Sequence, residues 1–152
     1  MSGFRTFLAG GSPGNIPVVL SIANTAIDQR VKFASRHFKQ SDPINWEMMT
    51  IGDQGEIFGY PVDSGTGCFM DRSAHLSLNE KTRANPNYYE TMLAEMEKTY
   101  TRTWSWLNFK FDDENLIAFS SGYGDGVFAT YAGYDAEGKL SKVVTDFSVL
   151  ED

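Results

Sequence analysis

The sequence predicts a mainly β protein of the α+β class: an antiparallel sheet curled into a sandwich or barrel, with one amphipathic helix packed on it. Three observations carry this. Aromatic residues make up 14% of the 152-residue chain, and their side chains favour the pleated, half-buried surface of a sheet. Fourteen glycines stand against five prolines, which divides the chain by turns rather than by stiff linkers. Apolar residues alternate or form short blocks along most of the chain, and one stretch alone repeats at convincing helical spacing.

The elements follow in order. Residues 1–14 read as a short strand or arm (Phe4, Phe7, Leu8, Ala9) and a flexible turn, Gly10-Gly11-Ser12-Pro13-Gly14. Residues 16–23, a continuous apolar run, read as a strand buried on both faces, with Pro17 near its start where a ladder donor is least missed. After a turn at 24–28, residues 30–38 alternate. Val31, Phe33, Ser35 and His37 face one way; Lys32, Ala34, Arg36 and Phe38 face the other. Asp42-Pro43 breaks the chain before a third strand at 44–51. The turn Gly52-Asp53-Gln54-Gly55 joins it in a hairpin to a fourth at 56–62.

Residues 63–71, Asp-Ser-Gly-Thr-Gly-Cys-Phe-Met-Asp, then mark a tight, backbone-exposed turn or bulge. The helix begins after Asn85-Pro86, with Asn87 and Glu90 spaced as a capping pair. It places Tyr89, Met92, Leu93, Met96 and Tyr100 on one face. Ser77 and Glu80 have the same capping spacing, which allows a shorter helical turn over 77–82. The remainder returns to β: Trp104, Trp106 and 108–111 in one strand and 116–120 in another. A hairpin of 127–134 and 140–150 closes on Asp135-Ala136-Glu137-Gly138. With no repeat, low-complexity tract or linker, residues 1–152 read as a single domain.

Charge and cysteine usage narrow the function. The net charge is −7, and the 13 Lys and Arg are scattered, so neither nucleic acid nor an anionic membrane finds the clustered cations it needs. An acidic surface suits a basic protein partner or a cation. A single cysteine, Cys68, forbids an intrachain disulfide. With no leader-like N-terminus and no window of the roughly 18–20 apolar residues a membrane span needs, the expected compartment is the cytoplasm.

The stretch Phe58-Gly59-Tyr60-Pro61-Val62-Asp63-Ser64-Gly65-Thr66-Gly67-Cys68-Phe69-Met70-Asp71 resembles the signature of the bacterial domain-of-unknown-function 4241 family. Residues 16–23, Trp46-Glu47-Met48, Ser121-Gly122-Tyr123-Gly124-Asp125-Gly126-Val127 and Val144-Thr145-Asp146-Phe147 are similar to it in order and spacing. The resemblance covers most of the chain. It implies a single β-rich domain, carries over no catalytic residue, and implies more chain ahead of the segment matching Ile16 than this sequence has.

Four aspartates, Asp63, Asp71, Asp125 and Asp146, border glycine-rich or small-residue turns at strand ends. Hard cations bind several carboxylates plus backbone carbonyls. Asp63, Asp71 and Asp125 are therefore candidate ligands for Ca²⁺ or Mg²⁺ if their loops meet, although aspartate also favours turns for purely local reasons. No EF-hand series is present, and two histidines with one cysteine fall short of a structural zinc set. Ser64 lacks the Gly-x-Ser-x-Gly elbow, and Cys68 reads as a small core residue unless His75 reaches it. Most aromatics belong to the core, with Tyr60 and Tyr123, beside the two glycine loops, set apart as binding residues together with Asp63, Ser64, Thr66, Asp71 and Asp125. Two main readings follow. The first is a non-enzymatic domain that binds a protein partner through an acidic, aromatic-bearing surface, of inhibitor or immunity type. The other is a small cation-dependent hydrolase, or a small-molecule sensor, built on the same loops.

Overall fold

A computed structural model describes residues 3–9, 16–51 and 57–150, and every strand pairing among them is antiparallel. The strands are β1 (Gly3–Ala9), β2 (Ile16–Asn24), β3 (Gln29–His37), β4 (Asn45–Met48), β5 (Thr50–Ile51), β6 (Ile57–Phe58), β7 (Tyr60–Val62), β8 (Thr66–Met70), β9 (Trp106–Phe111), β10 (Glu114–Ser120), β11 (Gly126–Tyr134) and β12 (Leu140–Asp146). Two helices, α1 (Arg72–Ala84) and α2 (Tyr88–Glu97), lie between β8 and β9. A seven-stranded sheet runs β1-β2-β3-β12-β11-β4, with β7 sharing the outer edge of β11 with β4. A three-stranded sheet runs β8-β10-β9, and β5 pairs with β6.

The parts stack as three layers because β10 is apolar on both faces. Ile117 and Phe119 point towards the large sheet and join Val18, Leu20, Ile22, Val31 and Ala34 in one buried cluster. Leu116 and Ala118 point the other way and pack with Phe111 against Ala74 of α1 and Met92 and Met96 of α2. The architecture is an open sandwich with helices on its smaller sheet, not a barrel.

Several sequence expectations change in physical detail. Residues 16–23 are not equally buried on both faces: Val18 and Leu20 are fully buried, but Val19 and Ser21 on the other face are only half-buried. In β3 a bulge interrupts the alternation. Ser21 pairs with Phe33 and Ile22 with Val31, so Lys32 is the extra residue and Val31 turns inward, away from the side of Phe33, Ser35 and His37. The expected strands at 44–51 and 56–62 each divide in two, and β5 pairs with β6 as the predicted hairpin requires; its turn at 52–55 lies outside the described residues. So does the turn at 10–14, while the arm before it is β1. Residues 63–71 hold a turn and then a true strand, β8, and Trp104 precedes β9 on an isolated bridge to Thr101.

The largest correction is a second helix. Residues 77–82 are the middle of α1, so Ser77 caps nothing; its hydroxyl donates to Asp112 Oδ2 at 3.0 Å in the β9–β10 turn, where Lys81 also pairs with Asp112 at 3.0 Å. In α2 the buried stripe is Met92 and Met96 with Tyr88 packed beside them. Tyr89 is exposed, and Tyr100 lies beyond the helix. Asn87 makes no side-chain cap; Asn85 Oδ1 instead accepts the Asn87 N–H at 3.1 Å. Among the described residues no helix is long and apolar enough to cross a membrane.

The β11–β12 hairpin closes as predicted, around one nearly buried carboxylate. Asp135 Oδ1 accepts the N–H groups of Glu137 at 3.0 Å and Lys139 at 2.9 Å, and Oδ2 accepts the Ser41 hydroxyl at 3.0 Å. The Lys139 N–H first, then Ser41, Glu137 and Lys39, hold its pKa down at about 2, from an ordinary 3.8. A carboxylate depressed on folding stabilises the fold above its unfolded pKa, and that contribution is lost as pH falls through the folded value. The urea midpoint of Asp135→Asn should therefore lie below that of the unaltered protein at pH 6. The gap should shrink between pH 4 and pH 2; a gap independent of pH would contradict this.

Candidate functional site

Two loops carry the chain between the sheets at the same end of the sandwich. The turn at 63–65 leads from β7 in the large sheet to β8 in the small one. The turn at 121–125 returns from β10 to β11. Because β8 pairs with β10 and β7 with β11, the two crossings lie side by side. They are fastened together: Ser121 N–H donates to Gly65 O at 3.0 Å, and Gly65 N–H donates to Asp125 Oδ1 at 2.7 Å. Within the second loop, Gly124 N–H donates to Ser121 O and the Ser121 hydroxyl to Gly124 O, both at 2.8 Å. Gly122 is required here. Its φ is +56°, and a Cβ would lie 2.9 Å from Phe147 Cβ.

This rim presents Tyr123, which is 60% exposed. The Arg30 guanidinium lies over its ring, 5.2 Å from the centroid. Asp28 holds Arg30 in place, accepting at Oδ2 from Nη2 at 2.6 Å and from Nε at 2.9 Å; Arg30 and then Thr25 keep the Asp28 carboxyl below its ordinary range. Asp63 is exposed on the first loop, and Thr66 opens β8 beside it. The Ser64 hydroxyl lies 3.1 Å from the Tyr89 hydroxyl, which brings the start of α2 into the same rim.

Tyr60 has a different task. Its hydroxyl donates to Cys68 O at 2.9 Å and accepts the Cys68 N–H at 2.5 Å, so one side chain satisfies both backbone groups of a residue on the edge of the small sheet. Burial pushes its phenol well above the ordinary value. Gly67 leaves room for this ring, since a Cβ there would be 2.9 Å from both Tyr60 Cε1 and Phe119 Cε2. Tyr60 joins the sheets rather than facing a ligand. The Cys68 thiol packs with the helix-side cluster and is pushed up by burial, while His75 Nε2 lies 3.1 Å from Asn79 Nδ2.

The acidic set does not assemble. Asp125 is spent on Gly65, and Asp146 Oδ1 accepts the Ser148 N–H at 2.8 Å. Asp71 sits at the far end of β8, about 17 Å along the strand from the rim, with its Oδ1 2.5 Å from Arg36 Nη2. Among the described residues no three of His, Cys, Asp and Glu gather at metal-binding distance, so Asp63, Asp71 and Asp125 do not form the expected cation site. The reason is geometric: strand β8 separates Asp71 from the other two, and Asp71 and Asp125 already serve Arg36 and the Gly65 N–H.

Sequence reasoning missed Tyr89, because counting the helical stripe from 89 rather than 88 placed it in the core. It also missed Arg30, whose tie to Tyr123 spans most of the chain. Trp46, expected among the core aromatics, is nearly half exposed on the outer face of the large sheet, as is Met48 on the same strand.

Residues 5–145 match the model of the family described as protein of unknown function (DUF4241), and the chain belongs to that family. No curated protein and no solved structure matches it.

Proposed function

We propose that this member of the DUF4241 family is a non-enzymatic binding domain that recognises a basic protein through the rim of residues 63–66 and 121–126, as an inhibitor or immunity protein does, in a bacterial cytoplasm. The observation that carries the reading is Tyr123, an exposed aromatic on a loop already fixed by hydrogen bonds. A ring held in place loses little entropy on docking, and tyrosine is among the residues that anchor interfaces. Asp63, Asp125 and the net charge of −7 favour encounter with a cationic surface. Burial raises the Cys68 thiol, which disfavours the thiolate that a cysteine nucleophile needs.

Affinity capture from a bacterial extract, followed by titration of the purified partner, tests this. The partner should be basic, and Tyr123→Ala should bind it about 30-fold more weakly, the loss of a typical aromatic anchor, while melting like the unaltered protein. Capture of nothing above background by folded bait, or equal binding by the variant, would sink the reading.

A further inference from the structure

We propose that the outer face of the seven-stranded sheet joins two copies of this chain in a face-to-face dimer. Residues directly opposite in an antiparallel ladder point to the same side, so the register defines this face. Ser35, Val144, Tyr131 and Met48 lie opposite one another across β3, β12, β11 and β4, and on the same side Phe33 lies opposite Asp146 and Trp46 opposite Gly133. Phe33, Trp46, Tyr131 and Val144 line a shallow depression together with Asp146. The helices and the small sheet occupy the opposite side.

The charges choose the occupant. A two-fold interface must be complementary to itself. Strand β12 runs across the middle of the patch and presents Lys142, Val144 and Asp146 in turn on the outer side. A two-fold axis through Val144 lays Asp146 of each copy against Lys142 of the other, the two positions being about 13 Å apart along the strand. The Ser148 N–H fixes the Asp146 carboxylate at 2.8 Å, so it is held ready for such a contact. Aligned packing of two sheets face to face is an ordinary way to bury such a surface.

Four strands at about 4.8 Å spacing, over about 25 Å of their length, present about 500 Å² per copy. A dimer therefore buries about 1,000 Å², the lower bound for a specific interface, which points to a reversible association. The dimer leaves the rim around Tyr123 uncommitted, so its failure and that of the proposed function are separable.

Sedimentation at rising concentration is the experiment. The unaltered chain should pass from monomer to dimer. Lys142→Asp and Asp146→Lys should each weaken the dimer at least about tenfold, since like charges then face each other twice. An equimolar mixture of the two variants should restore it, because each of the two contacts then again joins one carboxylate to one ammonium. If one variant does not fold, the double swap in one chain, expected to dimerise, and Tyr131→Ser, expected not to, decide the question. A chain monomeric at every concentration, single variants that dimerise normally, or a mixture that stays monomeric would each overturn the proposal.

Discussion

Phe119→Ala should lower the stability of the fold by about 3–5 kcal/mol, the cost of emptying a large aromatic site in a closed core. Phe119 is fully buried on β10, its ring 5.5 Å from that of Phe69 and 5.9 Å from that of Phe147. It reaches across the gap between the sheets, and Gly67 admits it closely. Relaxation into the vacated space is limited, because the wall comes from paired strands on both sides. With a urea slope of about 2 kcal/mol/M, the midpoint should fall by about 2 M. A loss below about 1.5 kcal/mol would mean that the layers close over the site, and that the sheet-to-sheet contact is looser than the geometry requires.

That residue also shows how much of the fold the chain makes legible. Residues 116–120 read as a strand, and β10 is that strand, with apolar residues serving two different layers. The β11–β12 hairpin is legible too. Asp135 and Gly138 supply the backbone amide acceptor and the positive φ that its turn needs, and both act within five residues. Helix α1 leaves little trace. It buries Ala74 and tucks Leu78 against the small sheet, while Leu76 is more than half exposed, so its apolar stripe is too thin to register. The bulge at Lys32 is equally silent, since pairing with a neighbour decides it rather than local preference.

The rim was legible in outline and not in chemistry. Glycine and aspartate in residues 63–67 and 122–126 mark two loops, and the loops do meet. What they do on meeting is a long-range matter: Asp125 turns to an amide sixty residues away, and Tyr89 arrives from a helix. A carboxylate beside a glycine turn reads the same whether it awaits a cation or caps a backbone amide. Only the fold separates the two, and here it spends the Asp125 oxygen on the backbone.

Asp71 is the sharper case, and Asp71→Ala should cost about 3–5 kcal/mol, the usual result of stranding one member of a buried ion pair. Its partner Arg36 is the more deeply buried of the two, 8% exposed, and its Nε has no hydrogen-bond partner; removing Asp71 leaves the guanidinium still less compensated. Asp71 is also the residue preceding α1, yet its side chain makes no cap, because Arg36 draws the carboxylate towards the large sheet. The pair therefore ties the helical layer to β3 across 35 residues, with little capping lost on substitution. Asp71→Asn, which keeps an acceptor, should cost less, about 1–2 kcal/mol. The double variant Arg36→Met with Asp71→Ala should recover to within about 1 kcal/mol of the starting protein, since an apolar replacement of similar volume needs no compensating charge. Urea titrations of the starting protein, Arg36→Met, Asp71→Ala and the double variant give the coupling directly. Additive losses would show that the ion pair does not hold these layers together.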